Sequence, residues 1–199
     1  MENSYLLEDI ITSDVRIKLL VELYSEVSRE LYVRELTRRV GTEINAIRRE
    51  LKRLEDAGII KKEQRGNRVY YLLREDYPLY TELLSIISKE KGVGRLVRDN
   101  LKNIGNPKLV LLSLEFAQGR HALESELDLI IIGDVDIKVT NDLLKKEILM
   151  SSREINYTIL KEEEFLHLLK RRETFIMDFI LRSHITLIGS LDRFINKLK

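Results

Sequence analysis

Two sets of side chains in this sequence have types and spacings that could do chemistry. The first is a row of hydrogen-bond donors. Asn45, Arg48, Arg49, Lys52 and Arg53 are interleaved with Ile44, Ile47, Leu51 and Leu54, which recur at three- and four-residue steps. That spacing predicts a helix with the apolar residues on one face and the donors on the other. Arginine and asparagine offer the paired groups that base edges accept, and lysine and arginine neutralise phosphates. Arg65, Asn67 and Arg68 add donors around Gly66, where a glycine lets the backbone approach a ligand closely. The second set is acidic. Asp128 heads the apolar run Leu129-Ile130-Ile131-Ile132, with Glu126 two residues before it. A carboxylate embedded in such a run needs a partner or a purpose.

The elements that must position the first set are legible from residue 13 to 91. Ser13-Asp14 can cap a helix holding Val15, Leu19, Leu20, Leu23, Tyr24 and Val27 at helical spacing. A short helix follows from Val33 to Val40 and stops at Gly41, which tolerates a left-handed backbone. Thr42 is then expected to cap the donor-bearing helix, which ends at Ala57-Gly58. Two β-rich runs, Ile59–Glu63 and Arg68–Leu73, flank the turn Gln64-Arg65-Gly66-Asn67 and read as a hairpin. Pro78 opens a fourth helix through Leu79, Leu83, Leu84, Ile86 and Ile87, a candidate dimer contact.

Helix, short helix, turn, helix, hairpin is an arrangement that resembles the winged helix-turn-helix domains of small prokaryotic transcription regulators. The resemblance rests on Val33–Gly41, on Leu51-Lys52-Arg53-Leu54-Glu55-Asp56-Ala57-Gly58-Ile59-Ile60, and on the hairpin. It implies that the third helix enters the major groove of double-stranded DNA. The expected DNA-contacting residues are Arg38, Thr42, Asn45, Arg48, Arg49, Lys52, Arg53, Arg65, Asn67 and Arg68.

The second half shows short apolar strands separated by helical stretches. A helix from Arg95 to Ile104 is expected, then strands at Pro107–Ser113 and Leu127–Asp134. A helix near Thr140–Met150 precedes strands at Arg153–Leu160 and Ile185–Ser190. The stretch Ala117–Gly133 resembles the active-site region of the minimal nucleotidyltransferases. In that family a Gly-Ser pair precedes Asp-x-Asp on a strand, and a third acidic residue follows on a later strand. The resemblance implies that the two carboxylates hold Mg²⁺ and that the Gly-Ser amides approach nucleotide phosphates.

This sequence departs from the pattern at each part. Leu114-Glu115 stand where Gly-Ser would, the carboxylate pair is Glu126 and Asp128, and the third acidic position is Asn156. No catalytic residue is therefore expected, and Glu126 and Asp128 are the sole metal candidates. Mg²⁺ and nucleotide enter only if this domain has kept binding. Arg120, His121 and Arg153 are candidates for an anion in the pocket.

Composition bounds the rest. The 199 residues are 44% hydrophobic and 34% charged, which supports packed cores and argues against disorder. A net charge of +1 excludes a globally basic coat, but the charge is partitioned. Residues 1–28 sum to −4, and the span from Arg34 to Arg68 sums to +5. No cysteine is present, which excludes disulfides, thiol nucleophiles and cysteine-ligated zinc, and three histidines make a His-based metal site unexpected. No apolar run approaches the ~18–20 residues of a membrane span. A cytoplasmic protein is expected, and many Glu, Lys, Arg and Ile with few Gln point to a thermophile.

The expected fold class is α+β. Residues 1–92 form a winged helix-turn-helix domain, and residues 93–199 form a small nucleotidyltransferase-like α/β domain with a mixed sheet. The function this implies is a sequence-specific, homodimeric transcriptional regulator. Its second domain would serve dimerisation or sense a small-molecule effector. The alternatives are a divergent Mg-dependent nucleotidyltransferase acting on a protein or small molecule, or an antitoxin-like module for a neighbouring partner protein.

Overall fold

Leucine, isoleucine and tyrosine at helical spacing build the first unit. The structure, a computed structural model, describes residues 6–25, 30–120, 126–151 and 153–198. Contacts divide the chain into two units, Met1–Glu90 and Lys91–Lys199. In the first, a 3₁₀ turn at Leu6–Asp9 leads to helix α1 (Asp14–Ser25), strand β1 (Leu31–Tyr32), and helices α2 (Val33–Val40) and α3 (Ile44–Asp56). Strands β2 (Ile60–Arg65) and β3 (Arg68–Leu73) and helix α4 (Tyr80–Glu90) complete it. Ser13 caps α1 by accepting the Arg16 amide at 3.3 Å. Helix α1 packs against α2, α3 and α4, burying Leu19, Leu20, Leu23 and Tyr24 with Leu36, Ile47, Leu51, Leu54, Leu84 and Ile87. The three strands form an antiparallel sheet in the order β1-β3-β2. Its hairpin closes over Gly66-Asn67, with Arg65 opposite Arg68 and Gly66 at φ 58°.

One expectation fails here. The residue at the N-cap of α3 is Glu43, not Thr42, and no side chain caps the helix. Gly41, left-handed at φ 69°, ends α2 by donating its amide to the Thr37 carbonyl, and Thr42 falls within the turn that follows. Helix α4 also uses most of its apolar face inside the unit. Tyr80, Leu84 and Ile87 are buried, which leaves Ile86, and Leu79 just before the helix, exposed.

The second unit begins with α5 (Gly92–Asp99) and α6 (Leu101–Ile104), two helices where one was expected, broken at Asn100. Strand β4 (Gly105–Ser113) starts four residues earlier than its apolar run, because Gly105 and Asn106 already pair with Val135 and Asp134. Helix α7 (Leu114–Ala117), strand β5 (Leu129–Val135), helix α8 (Ile137–Ser151) and strand β6 (Tyr157–Leu160) follow. Helices α9 (Glu162–Arg171) and α10 (Thr174–Leu181), strand β7 (His184–Ile188) and helix α11 (Leu191–Ile195) end the unit, with a 3₁₀ turn at Asn196–Leu198. The sheet is mixed, in the order β6-β5-β4-β7: β4 runs antiparallel to β5 and β7, and β5 is parallel to β6 across α8. Leu109, Leu111, Ile130 and Ile132 pack with Phe165, Leu169, Ile176, Phe179 and Phe194. Val110, Leu112 and Ile131 alternate with them and are equally buried, as in a sheet covered on both faces. The protein is thus a mixed α+β protein.

Gly133 shows how tightly β4 and β5 approach where their register shifts between Pro107 and Leu109. Its φ is +144°, and a Cβ there would lie 2.5 Å from the Asn106 carbonyl oxygen and 2.8 Å from the Lys108 nitrogen. Gly133→Ala is expected to destabilise the protein by more than about 1 kcal/mol, read from its urea-unfolding midpoint.

Candidate functional site

Asp128 sits where three strands begin to pair. Its amide donates to the Asn156 carbonyl at 2.7 Å, and its own carbonyl accepts the Ser113 amide at 2.8 Å. These bonds extend the β4–β5 and β5–β6 ladders by one residue. The side chain joins them, because its Oδ2 accepts the Asn156 amide at 2.9 Å. The residue is only 3% exposed, and Oδ1 is buried with no hydrogen-bond partner. Burial pushes the Asp128 carboxyl above its ordinary range. The Asn156 hydrogen bond and Arg153 oppose the shift, and Glu126 and Glu115 add to it.

Glu126 is held differently. Arg182, just beyond α10, meets its Oε1 at 2.6 Å, with the two side chains 46% and 19% exposed. The pair lies in the wall of a cleft of about 280 Å³ lined also by Ser113, Leu127, Phe175, Asp178 and Phe179. Asn156 contributes only backbone groups to the Asp128 arrangement. Arg182 gave no signal in the sequence, since it lies 56 residues from Glu126 and in no local pattern.

The segment Leu114-Glu115, expected to stand at the Gly-Ser position, opens α7, and the amides flanking Glu115 are engaged. Leu114 donates to the Ser183 carbonyl at 3.1 Å, and Phe116 donates to Ser113 Oγ at 3.3 Å. Arg153, a candidate for an anion, engages α7. Its Nη2 donates to the Phe116 carbonyl at 2.8 Å, and its guanidinium lies 4.0 Å from the Phe116 ring centroid. Arg120 is exposed at the end of the loop, and His121 lies outside the described residues.

Mg²⁺ binding in the family's manner needs carboxylates converging on one point. Here Asp128 is buried and bonded across the sheet, Glu126 is ion-paired, and position 156 is neutral. Among the described residues no group of three or more His, Asp or Glu side chains is placed to hold a metal ion. These residues do not fit a two-metal centre.

The basic residues of the first unit separate into engaged and free sets. Lys52 pairs with Asp56 at 2.5 Å, and Arg53 pairs with Glu50 at 2.7 Å. Arg65 bridges Glu30 and Glu63, and Arg68 lies over the Tyr32 ring at 5.3 Å. Arg38, Arg48 and Arg49 are exposed and form no ion pair with a described residue. Asn45 and Asn67 are exposed, and Thr42 is half-buried. One acidic residue links α3 to α1. Glu50 occupies the inward row of α3, 6% exposed, and bonds Arg16 of α1 at 2.8 Å. Burial alone would raise its carboxyl, but Arg16, Ser13 and Arg53 outweigh that and hold it below the usual range. The signal was a Glu three residues after Ile47 and directly before Leu51, at a core position.

The raised Asp128 carboxyl gives a pH-dependent expectation. Its folded form binds a proton more readily than its unfolded form, so the ionised group lowers stability at neutral pH. That penalty fades as pH falls from the raised value toward the ordinary carboxylate range. Asp128→Asn is expected to raise the urea midpoint at pH 7 and to lose that advantage near pH 4. A variant less stable than the native chain at pH 7 would contradict this account.

No family model matches the chain. Among solved structures, human N-acetylserotonin methyltransferase in complex with SAM aligns with 83% of this chain at a TM-score of 0.30 and 12% identity. The chain covers 43% of that protein, and a score that low carries no argument. Among known proteins, a Methanocaldococcus jannaschii protein named "Putative protein adenylyltransferase" is 32% identical over 80 residues, which is 40% of this chain and 80% of that protein. By that match the chain belongs to the family of the Methanocaldococcus jannaschii protein.

Proposed function

We propose that residues 91–199 are a nucleotidyltransferase-type unit without a working metal centre. We propose also that a winged helix-turn-helix unit carries it to double-stranded DNA. The observation that carries the first half is Asp128. It stands where the family's carboxylate would, but it is buried and hydrogen-bonded to the Asn156 backbone. Family membership supports the nucleotidyltransferase half, and no comparison bears on the DNA half.

The DNA half rests on geometry alone. Helix α3 buries Ile47, Leu51 and Leu54 and leaves Asn45, Arg48 and Arg49 exposed on its other side, with Arg38 on α2. Ion-pair-free arginines beside an asparagine suit phosphates and base edges. In this reading the protein acts as a homodimer on a two-fold site. The exposed Leu79 and Ile86 lie in the segment that meets the second copy. A small-molecule effector or a neighbouring partner protein would act through the second unit.

One specific observation favours a second reading, nucleotidyl transfer onto a protein or small molecule: the name of the relative. Incubation with Mg-ATP labelled at the α-phosphate separates the two. We expect no label on the chain or on an added acceptor. Label that disappears in Asp128→Ala would establish the enzymatic reading instead.

The DNA half has its own test. Replacing both Arg48 and Arg49 with alanine is expected to weaken binding to a selected duplex at least about tenfold and to reduce the log–log salt slope by about 2. The Lys52→Ala, Arg53→Ala pair is expected to do less, since Asp56 and Glu50 already engage those cations. Fluorescence anisotropy at stated salt reads both. Unchanged affinity in the Arg48, Arg49 variant would remove the DNA assignment from α3.

A further inference from the structure

The hairpin of the first unit closes on two cations. Arg65 and Arg68 stand directly opposite each other across β2 and β3. Like charges at opposed positions repel, so each guanidinium needs a partner of its own. The register puts Lys61, Glu63, Tyr70 and Tyr32 on the same face as this pair. Leu31, Ile60 and Leu73 lie on the other face and are buried.

The two arginines are partnered by different chemistry. Arg65 meets Glu30 at 2.6 Å and Glu63 at 2.7 Å, and Glu63 also takes Lys61 at 2.9 Å. Lys62, on the opposite face, pairs with Glu55 at 2.9 Å. Arg68 forms no ion pair with a described residue, and its guanidinium lies 5.3 Å from the Tyr32 ring centroid. Tyr32 is braced in turn by Tyr70, edge to face, with centroids 6.2 Å apart. Tyr70 carries Arg65 at 5.8 Å. A carboxylate cancels the charge of a guanidinium. An aromatic face attracts the guanidinium through the ring quadrupole and leaves its net charge in place. Of the cations on β2 and β3, Arg68 is therefore the one whose charge no described carboxylate offsets.

From this arrangement we infer that Tyr32 is a positioning residue for DNA binding, its ring holding the Arg68 guanidinium in place, still charged, to meet a backbone phosphate. The inference rests on the proposed reading of the first unit as a binder of double-stranded DNA. It divides the hairpin cations by role. Arg65, held by Glu30 and Glu63, ties the hairpin to the start of β1, and Arg68 faces outward. Tyr32 stands at the N-cap of α2, but its side chain makes no capping hydrogen bond. The work of its ring is thus separable from the start of that helix.

Fluorescence anisotropy of the full chain on a selected duplex, over a series of salt concentrations, tests the inference. Arg68→Ala is expected to weaken binding at least about threefold and to lower the log–log salt slope by about 1. Arg65→Ala is expected to weaken binding less than about twofold with the slope unchanged, because its charge is already offset. Tyr32→Leu is expected to weaken binding about two- to fivefold, and Tyr32→Phe, which keeps the ring, to match the native chain. In the Arg68→Ala background Tyr32→Leu is expected to cost nothing further, whereas a purely structural role would cost affinity with or without Arg68. Equal losses from Tyr32→Leu in both backgrounds, or an unchanged slope in Arg68→Ala, overturn the inference and leave the DNA reading to Arg48 and Arg49. A native chain that binds no duplex overturns the reading and the inference together. Should Tyr32→Leu not fold, the arginine variants decide: a loss confined to Arg68→Ala supports the inference, and equal losses in Arg65→Ala and Arg68→Ala overturn it.

Discussion

The start of the second unit's sheet converges on one buried residue. Asp128 meets Ser113 at the end of β4 and Asn156 at the approach to β6, through its carbonyl, its amide and its side chain. Each bond is ordinary. Their convergence on one buried residue fixes where the antiparallel and the parallel ladder both begin. A buried carboxylate with one oxygen unpartnered is destabilising by itself, so the arrangement persists only because the surrounding strands are well packed. Leu111, Ile130 and Phe165, all fully buried, supply that packing.

The rest of the site follows from that constraint. With Asp128 turned into the sheet, Glu126 is left beside the cleft and meets Arg182. The Leu114 and Phe116 amides bond Ser183 and Ser113, and Arg153 bonds the Phe116 carbonyl.

Much of this was legible in the sequence, and the part that was not has a common cause. Apolar periodicity located α2, α3 and the hairpin, because helix and strand spacing are local properties. It also marked Asp128 as anomalous. The strand boundaries were less accurate: β4 extends back to Gly105 because its first residues pair with β5 without being apolar. The Thr42 cap failed because the turn between α2 and α3 runs one residue longer than the sequence suggests. The side-chain partners were the least visible. Arg16 with Glu50, Arg153 with Phe116 and Arg182 with Glu126 are separated by 34, 37 and 56 residues, and no local pattern announces such pairs. The engaged half of the basic residues of α3 is set instead by local pairs, Lys52 with Asp56 and Arg53 with Glu50. Knowing the Phe116 pair places Arg153, a candidate for an anion, against α7.

The central claim is that Asp128 serves the sheet and not a metal. Carboxyl-carbon NMR of Asp128 in the full chain tests it most directly, with Mn²⁺ and Mg-ATP added in turn at pH 7. The account predicts a resonance that neither shifts nor broadens on either addition and that titrates above the ordinary aspartate range. Selective broadening of that resonance by Mn²⁺, or a saturable shift with Mg-ATP, would contradict it.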